Sequence, residues 1–385
     1  MPTTRFKNTL YRILLPFFSP GCGSHPVSGI TGHDIIHIRS FEKLLHRHHV
    51  LGSSTLLVSG SSSALILSSS SVPSHQARPE TFYRVASITK LATAVLILHL
   101  SDLGMISLDD RVSDFFSSED AVSALDGITF RHLLSHTSGI VDPPDLEYSL
   151  ENKKPFPALF PGVRHDPPGK AFHYSNLGFG LIGCILESLL NDSVGTIFQK
   201  YLFDPLRMNS TLEGCLLPDE NIMPVTRVFP WRKGQDLIHT PLGAVPLCSS
   251  QPLLHYGHTA GSMYTDIFSL KKLLQAITVN YKEHFLSDVS VQEMMRLHAS
   301  YGRQSPTLSY GLGLLIISDS SVSAHHIYGH QGFAYGCADG LFWEESSGRI
   351  LIFLNGGCSE ARIGKLGIAN RDMLRWAFGK ELPSW

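Results

Sequence analysis

The stretch Ser87-Ile88-Thr89-Lys90-Leu91-Ala92-Thr93-Ala94-Val95-Leu96-Ile97-Leu98 is apolar on nearly all sides and runs on to Leu103-Gly104. A helix that is apolar all round belongs in a core, so this run predicts a domain organised about a buried helix. At its head stand Ser87 and Lys90, and the i, i+3 spacing sets both side chains on one face. A serine hydroxyl becomes a useful nucleophile beside a base, and a lysine serves as base where burial or a nearby positive potential lowers its pKa. The partial positive charge of a helix N-terminus favours both the neutral amine and the developing alkoxide. Taken alone, Ser-x-x-Lys is equally the pattern of an N-cap serine followed by a lysine whose stem lies along apolar surface.

Upstream, Phe41 to Val50 predicts a short amphipathic helix, and the apolar runs Thr55–Val58 and Ala64–Leu67 about Ser59-Gly60-Ser61-Ser62-Ser63 predict a β-hairpin. Ser68–Ser71 reads as a loop. Residues 1–29 carry Pro, Gly and Ser and read as an extension, with the folded unit starting near Ile30. From about Leu108 to Thr259 the pattern is helical between Pro/Gly loops, Leu177–Leu190 being one such helix. The last third changes character. Tyr310–Ile317, Gly340–Trp343 and Ile350–Leu354 predict strands, Glu344-Glu345-Ser346-Ser347-Gly348 a turn, and Ile368–Phe378 a closing helix.

Two further motifs carry chemistry. Tyr174-Ser175-Asn176 follows Pro167-Pro168-Gly169-Lys170 and precedes the helix at Leu177, which sets a phenol and an amide on a loop at a helix start. A tyrosine beside a lysine can share its proton relay, and an asparagine can orient a substrate amide; a packed ring and an N-cap are the plainer reading. His330-Gln331-Gly332 stands ahead of the strand-rich segment Phe333–Trp343, where a glycine would let a substrate backbone approach a strand edge. A surface histidine beside a turn glycine is the alternative.

Bulk properties bound the function. With 43% hydrophobic and 17% charged residues the 385-residue chain is globular rather than disordered. Its formal net charge of -2 gives no field to gather nucleic acid or anionic lipid, which leaves a small-molecule or peptide substrate as the expected partner. Six widely separated cysteines suggest neither a zinc site nor a disulfide scaffold, and His46, His48 and His49 lack companion ligands, so no metal is expected. Arg5, Lys7 and Arg12 precede a short apolar stretch broken by Pro16, which falls short of a signal sequence. The expected location is cytoplasmic, with export or membrane attachment through this segment as the alternative.

The three motifs in this order resemble the superfamily of serine β-lactamases and penicillin-binding proteins, in particular the class C β-lactamase-like branch with its DD-peptidases, D-aminopeptidases and esterases. The resemblance extends over roughly residues 35 to 375. Phe82-Tyr83-Arg84-Val85-Ala86, Leu133-Leu134-Ser135-His136-Thr137-Ser138-Gly139, Ala260-Gly261-Ser262-Met263-Tyr264-Thr265 and Tyr310-Gly311-Leu312-Gly313 support it. It implies an α+β fold of β-lactamase/transpeptidase type, a mainly antiparallel sheet from residues 30–105 and 260–385 flanked by helices, with a largely helical region, 106–259, inserted. It also implies acyl transfer to water without a cofactor: Ser87 as nucleophile, Lys90 as base, Tyr174 as proton shuttle and Asn176 as orienting amide. The oxyanion hole would be the N–H groups of Ser87 and Phe333, the residue after Gly332. His330 replaces a lysine found in many relatives, which gives peptidase or esterase chemistry more weight than β-lactam hydrolysis. A histidine titrating near pH 6.5 would bind a carboxylate substrate more weakly as pH rises from about 5.5 to 7.5. His136 is expected to bond backbone beyond a short helix that Gly139 ends.

Overall fold

In the computed structural model, residues 25–29, 38–70, 74–117, 119–143, 166–228, 231–233, 257–278, 285–334 and 336–379 are described. In chain order the elements that matter here are β1 (His25–Gly29), α1 (Ile38–Arg47), β2 (Ser53–Ser59), β3 (Ser62–Ser69), α2 (Thr89–Asp102), α3 (Phe130–Leu134), α4 (Asn176–Leu190), α5 (His258–Gly261) and α6 (Ile267–Gln275). The C-terminal set is β4 (Ala299–Ser300), β5 (Leu308–Tyr310), β6 (Leu315–Ile317), β7 (Ile327–Ala334), β8 (Cys337–Glu344), β9 (Ile350–Asn355) and α7 (Ile368–Phe378).

These strands form one nine-stranded antiparallel sheet in the order β1-β3-β2-β9-β8-β7-β6-β5-β4. Its period-2 alternation is direct. Along β9, Ile350, Ile352 and Leu354 enter the cluster on one face, while Leu351 and Phe353 enter the cluster on the other. The first face is covered by α2 and α6, the second by α1 and α7, whose Phe41 and Trp376 rings lie 4.9 Å apart. Helix α2 is buried on all sides, from Thr89 through Leu98, as an all-apolar helix must be. The antiparallel sheet with helices on both faces is the fold class read from the sequence. In the middle region, helices Glu119–Leu125, α3, α4 and Val194–Phe198 are followed by short strands such as Ser210–Thr211 and Thr226–Val228.

Three readings need correction. His25–Gly29, assigned to the N-terminal extension, pairs with Leu65–Ser69 as an edge strand, so residues 1–29 are not wholly outside the sheet; residues 1–24, with the basic and apolar segment, lie outside the described residues. Ser68 and Ser69 continue β3 instead of forming a loop, because Ser68 is paired with Ser53 and their hydroxyls bond at 2.6 Å. Tyr310–Ile317 is not one strand but two, β5 and β6, folded back on each other. Gly313 turns the chain there with φ +62°, lying so close to the Lys90 carbonyl that no Cβ would fit. No single described helix is long and apolar enough to cross a membrane.

Candidate active site

Ser87 lies in a 3-10 turn, Ala86–Ile88, that leads directly into α2, and the preceding Ala86 is held at φ +44°. Threonines of α2 fix what faces this turn. Thr89 Oγ1 donates to the Ala86 carbonyl at 2.6 Å and accepts from Met263 N, and Thr93 Oγ1 donates to the Thr259 carbonyl at 2.7 Å. The segment carrying α5 is thereby locked against α2, and the Ala260 carbonyl arrives at Lys90. Lys90 is fully buried. Its Nζ stands 2.7 Å from Asn176 Oδ1, 2.7 Å from the Ala260 carbonyl and 3.2 Å from Ser87 Oγ.

Burial drives the Lys90 pKa down to about 7, with Asp142 pulling it up and Arg84 pushing it down. Near neutrality a large share of the amine is therefore uncharged. A neutral amine has two N–H bonds and one lone pair. Asn176 Oδ1 and the Ala260 carbonyl are acceptors only, so they take the two N–H groups, and the lone pair is left for Ser87 Oγ–H. This geometry can move the serine proton to the lysine.

The Tyr174-Ser175-Asn176 loop stands across the cleft. Ser175, not Asn176, is the N-cap of α4: its Oγ accepts from Gly178 N at 2.9 Å. Asn176 is the first helical residue, and its amide reaches Lys90 on one side and Asp142 on the other. The Tyr174 hydroxyl shares a hydrogen bond with Ser87, and its ring lies 5.0 Å from Lys90 Nζ. Desolvation pushes this phenol above its ordinary range, the bond to Ser87 opposing. Tyr174 thus stays protonated at neutral pH and is suited to giving a proton, whereas Lys90 is suited to taking one.

His136 supports this loop. Its Nδ1 accepts from Ser175 N at 3.1 Å and its carbonyl accepts from His173 N at 2.8 Å. Its ring packs 4.3 Å from that of Tyr174. α3 ends at Leu134 and His136 itself takes the left-handed conformation, φ +58°, a role expected of Gly139. His48 bonds Asp372 at 2.9 Å across to α7, and no group of three or more His, Cys, Asp or Glu fit to hold a metal gathers among the described residues.

Strand β7 forms the other wall. β6 pairs with it only as far as Gly329, so the stretch from His330 onward turns one edge to the cleft. Ser87, Tyr174, Asn176, His330 and Phe333 all line this space of about 710 Å³. Five of the seven residues read from the sequence thus line the cleft, and Lys90, fully buried, joins them through its contact with Ser87 Oγ at 3.2 Å. Gly332 is the exception and a correction. It is buried behind the wall, where an added Cβ would stand 2.3 Å from the Val85 carbonyl; its bareness admits the turn carrying Ser87, not a substrate.

His330 is also corrected. It is buried in mid-strand, its Nδ1–H donating to the Gln331 carbonyl at 2.7 Å and its Nε2 accepting from the Tyr310 hydroxyl at 2.8 Å. Burial, with Lys90 nearby, lowers its pKa to about 3, so it does not become the carboxylate-attracting cation expected from an ordinary histidine.

Two groups escaped the sequence reading. The Ala260 carbonyl is backbone and leaves no signature in residue types. Asp142 accepts from Ser175 Oγ, Asn176 N, Asn176 Nδ2 and Leu177 N, at 2.7, 2.9, 3.0 and 3.0 Å. Its position just after the Leu133–Gly139 motif and before two prolines reads locally as a turn.

Comparison with known proteins agrees with this architecture. The chain is 31% identical over 143 residues to Protein flp of Staphylococcus aureus (strain MW2), a match covering 35% of this chain but 29% of that protein. It therefore spans well under half of the relative's length. Its fold is similar to the octameric penicillin-binding protein homologue from Pyrococcus abyssi, with TM-score 0.70 and 21% identity over 91% of this chain and 80% of that one. It is likewise similar to the D-amino acid amidase from Ochrobactrum anthropi SV3, with TM-score 0.67 and 20% identity over 85% of this chain and 92% of that one. The family model described as Beta-lactamase matches residues 38–346, most of the chain and both walls of the cleft, so this protein belongs to the Beta-lactamase family of serine hydrolases.

Proposed function

We propose that the protein hydrolyses a small amide or ester through an acyl-enzyme on Ser87. The observation that carries this is the disposition of Lys90: two acceptors occupy its N–H groups and its remaining valence faces Ser87 Oγ at 3.2 Å. Ser87 Oγ attacks the substrate carbonyl carbon as its proton passes to Lys90 Nζ. The oxyanion is received by the backbone N–H groups of Ser87 and Phe333, donors of a kind that contribute about 10²–10³ in turnover. As the carbonyl–leaving-group bond breaks, the Tyr174 hydroxyl gives its proton to the departing nitrogen or oxygen. The proton on Lys90 restores the phenol. Water then enters, loses a proton by the reverse route, and releases the acid from Ser87.

Among amides, those of D-amino acids and D-alanyl peptides are the first candidates. Similarity to the D-amino acid amidase supports them, as does an aromatic cleft wall of Phe172, Tyr301, Tyr310 and Phe333. Intact-mass measurement after a fluorophosphonate probe should find one adduct, on the peptide holding Ser87. The same preparation is then assayed against a D-amino-acid amide, a D-Ala-D-Ala peptide, an ester and a chromogenic β-lactam. An adduct that persists in Ser87→Ala would refute the reading.

A further inference from the structure

Asp142 holds no atom of Ser87, Lys90 or Tyr174 by any bond described above, yet it makes four hydrogen bonds to the loop that does. We propose that Asp142 is a positioning residue that aims the lone pair of Lys90 at Ser87 by fixing which end of the Asn176 amide faces the lysine. This rests on the acyl-enzyme reading above. Donors and acceptors decide the orientation of the amide. An ionised carboxylate only accepts, so the amide group facing Asp142 Oδ2 at 3.0 Å must be Nδ2–H₂. Oδ1 is then forced toward Lys90, 2.7 Å away. Were the amide reversed, an N–H would point at Lys90 Nζ and compete with Ser87 for the lone pair.

The remaining bonds of Asp142 make that choice rigid. Its Oδ2 also takes Asn176 N at 2.9 Å, and its Oδ1 takes Leu177 N at 3.0 Å and Ser175 Oγ at 2.7 Å. The carboxylate sits on the first N–H groups of α4, where the helix favours a negative charge. Helix integrity alone does not require it, because Ser175 already caps α4 through Gly178 N.

The proposal has a signature that a structural prop lacks. Acylation needs neutral Lys90, so its rate rises with pH through the lysine pKa. The charged or titratable groups facing Lys90 are Asp142, Arg84 from the strand before the turn, His136 beyond α3, His330 of β7 and Tyr174. Burial keeps both histidines neutral near pH 7 and leaves the phenol protonated. Asp142 is thus the anion that raises the Lys90 pKa. Removing its charge should move the rise in rate to lower pH while the plateau falls, because more of the amine is neutral but it is wrongly aimed.

The test is the rate of fluorophosphonate labelling of Ser87 against pH in full-length wild type, Asp142→Asn, Asn176→Ala and the double variant, with melting temperatures alongside. In Asp142→Asn the plateau is expected to fall by on the order of 10²-fold, the scale of a catalytic group misplaced by about 1 Å. The midpoint should shift acidward, and in the Asn176→Ala background the same change should cost no further rate. Should Asp142→Asn not fold, Asp142→Ser keeps a capping oxygen while removing the charge, and the same comparisons apply. A folded variant that labels at the wild-type rate with an unmoved midpoint overturns the proposal, and so does a loss that persists undiminished without Asn176. If wild type itself is not labelled at Ser87, the acyl-enzyme reading has failed instead.

Discussion

Replacing Gly332 by alanine tests whether the wall and the nucleophile are positioned by the same contact. The new methyl would lie 2.3 Å from the Val85 carbonyl oxygen and 3.1 Å from its carbon. Both atoms are backbone, so no side-chain rotation relieves the overlap, and β7 must part from the Ser87 turn by about 1 Å to reach ordinary van der Waals separation. Overpacking of this kind costs about 1–3 kcal/mol, which the fold can survive. The effect on chemistry should be larger in proportion. The gap that opens separates Phe333 on β7 from Ser87 on the turn, the two proposed oxyanion donors, and a misplacement of about 1 Å costs on the order of 10² in rate. The assay is the labelling rate of Ser87 per folded molecule, with folding followed by thermal denaturation. Gly60→Ala is the control: it sits on the β2–β3 turn at φ +56° with open space around it, so it should lose about 1–2 kcal/mol of stability and no labelling rate. A folded Gly332→Ala protein that labels as wild type does would refute the argument.

Lys90→Met and Tyr174→Phe should each lower the acylation rate by about 10²–10⁴, the usual worth of a positioned acid or base. Together they should cost little more than either alone, and additive losses in the double variant would show that the two serve separate steps. For a carboxylate-bearing substrate, KM measured from pH 5.5 to 7.5 should show no change of the kind a titrating His330 would produce, since that ring is held neutral down to about pH 3. Unfolded, the same histidine binds a proton below about pH 6.5, so native stability is lost as pH falls from there; His330→Gln should lessen that slope by about one proton, measured by denaturant titration at several pH values. His136→Leu should cost about 1–3 kcal/mol because Ser175 N loses its buried acceptor, and an unchanged denaturation midpoint would mean another acceptor takes its place.

What was legible in the sequence was what neighbouring residues decide together. The burial of α2 follows from its own composition, and α7 runs over Ile368–Phe378 as its apolar pattern requires. The pairing of β9 with β2 joins Ile350 to Val58 across most of the chain and has no local trace. Tyr310–Ile317 looked like one strand because its apolar residues are continuous; the fold-back at Gly313 is dictated by α2 beneath it. Within the cleft the same division holds. Ser87 and Lys90 share one helical turn and could be paired by spacing, whereas Asp142 acts on a loop more than thirty residues away. His330 is legible as a site residue but its charge is not, because Tyr310 and the Gln331 carbonyl, which occupy both ring nitrogens, are brought to it only once the strands are in place.

The neutrality of His330 bears on how the site works. Were His330 a cation, it would stand with Arg84 and Lys90 as one of several positive groups about Ser87, and a lysine so surrounded would be neutral largely through repulsion. The structure relies instead on desolvation, the first cause of the lowered Lys90 pKa, with Asp142 restraining the fall. Two groups beside one serine are thus pushed apart by environment, Lys90 down toward neutrality and Tyr174 up, and each is left in the protonation state that its proposed step demands. Because burial and not a neighbouring cation does this, the pH at which acylation begins should depend weakly on salt. Raising ionic strength from about 0.05 to 1 M shrinks the Debye length from over 10 Å to about 3 Å and screens exposed charges, but it barely reaches a group as enclosed as Lys90. A midpoint that moved by a full pH unit over that range would show that exposed charge, not desolvation, sets the base.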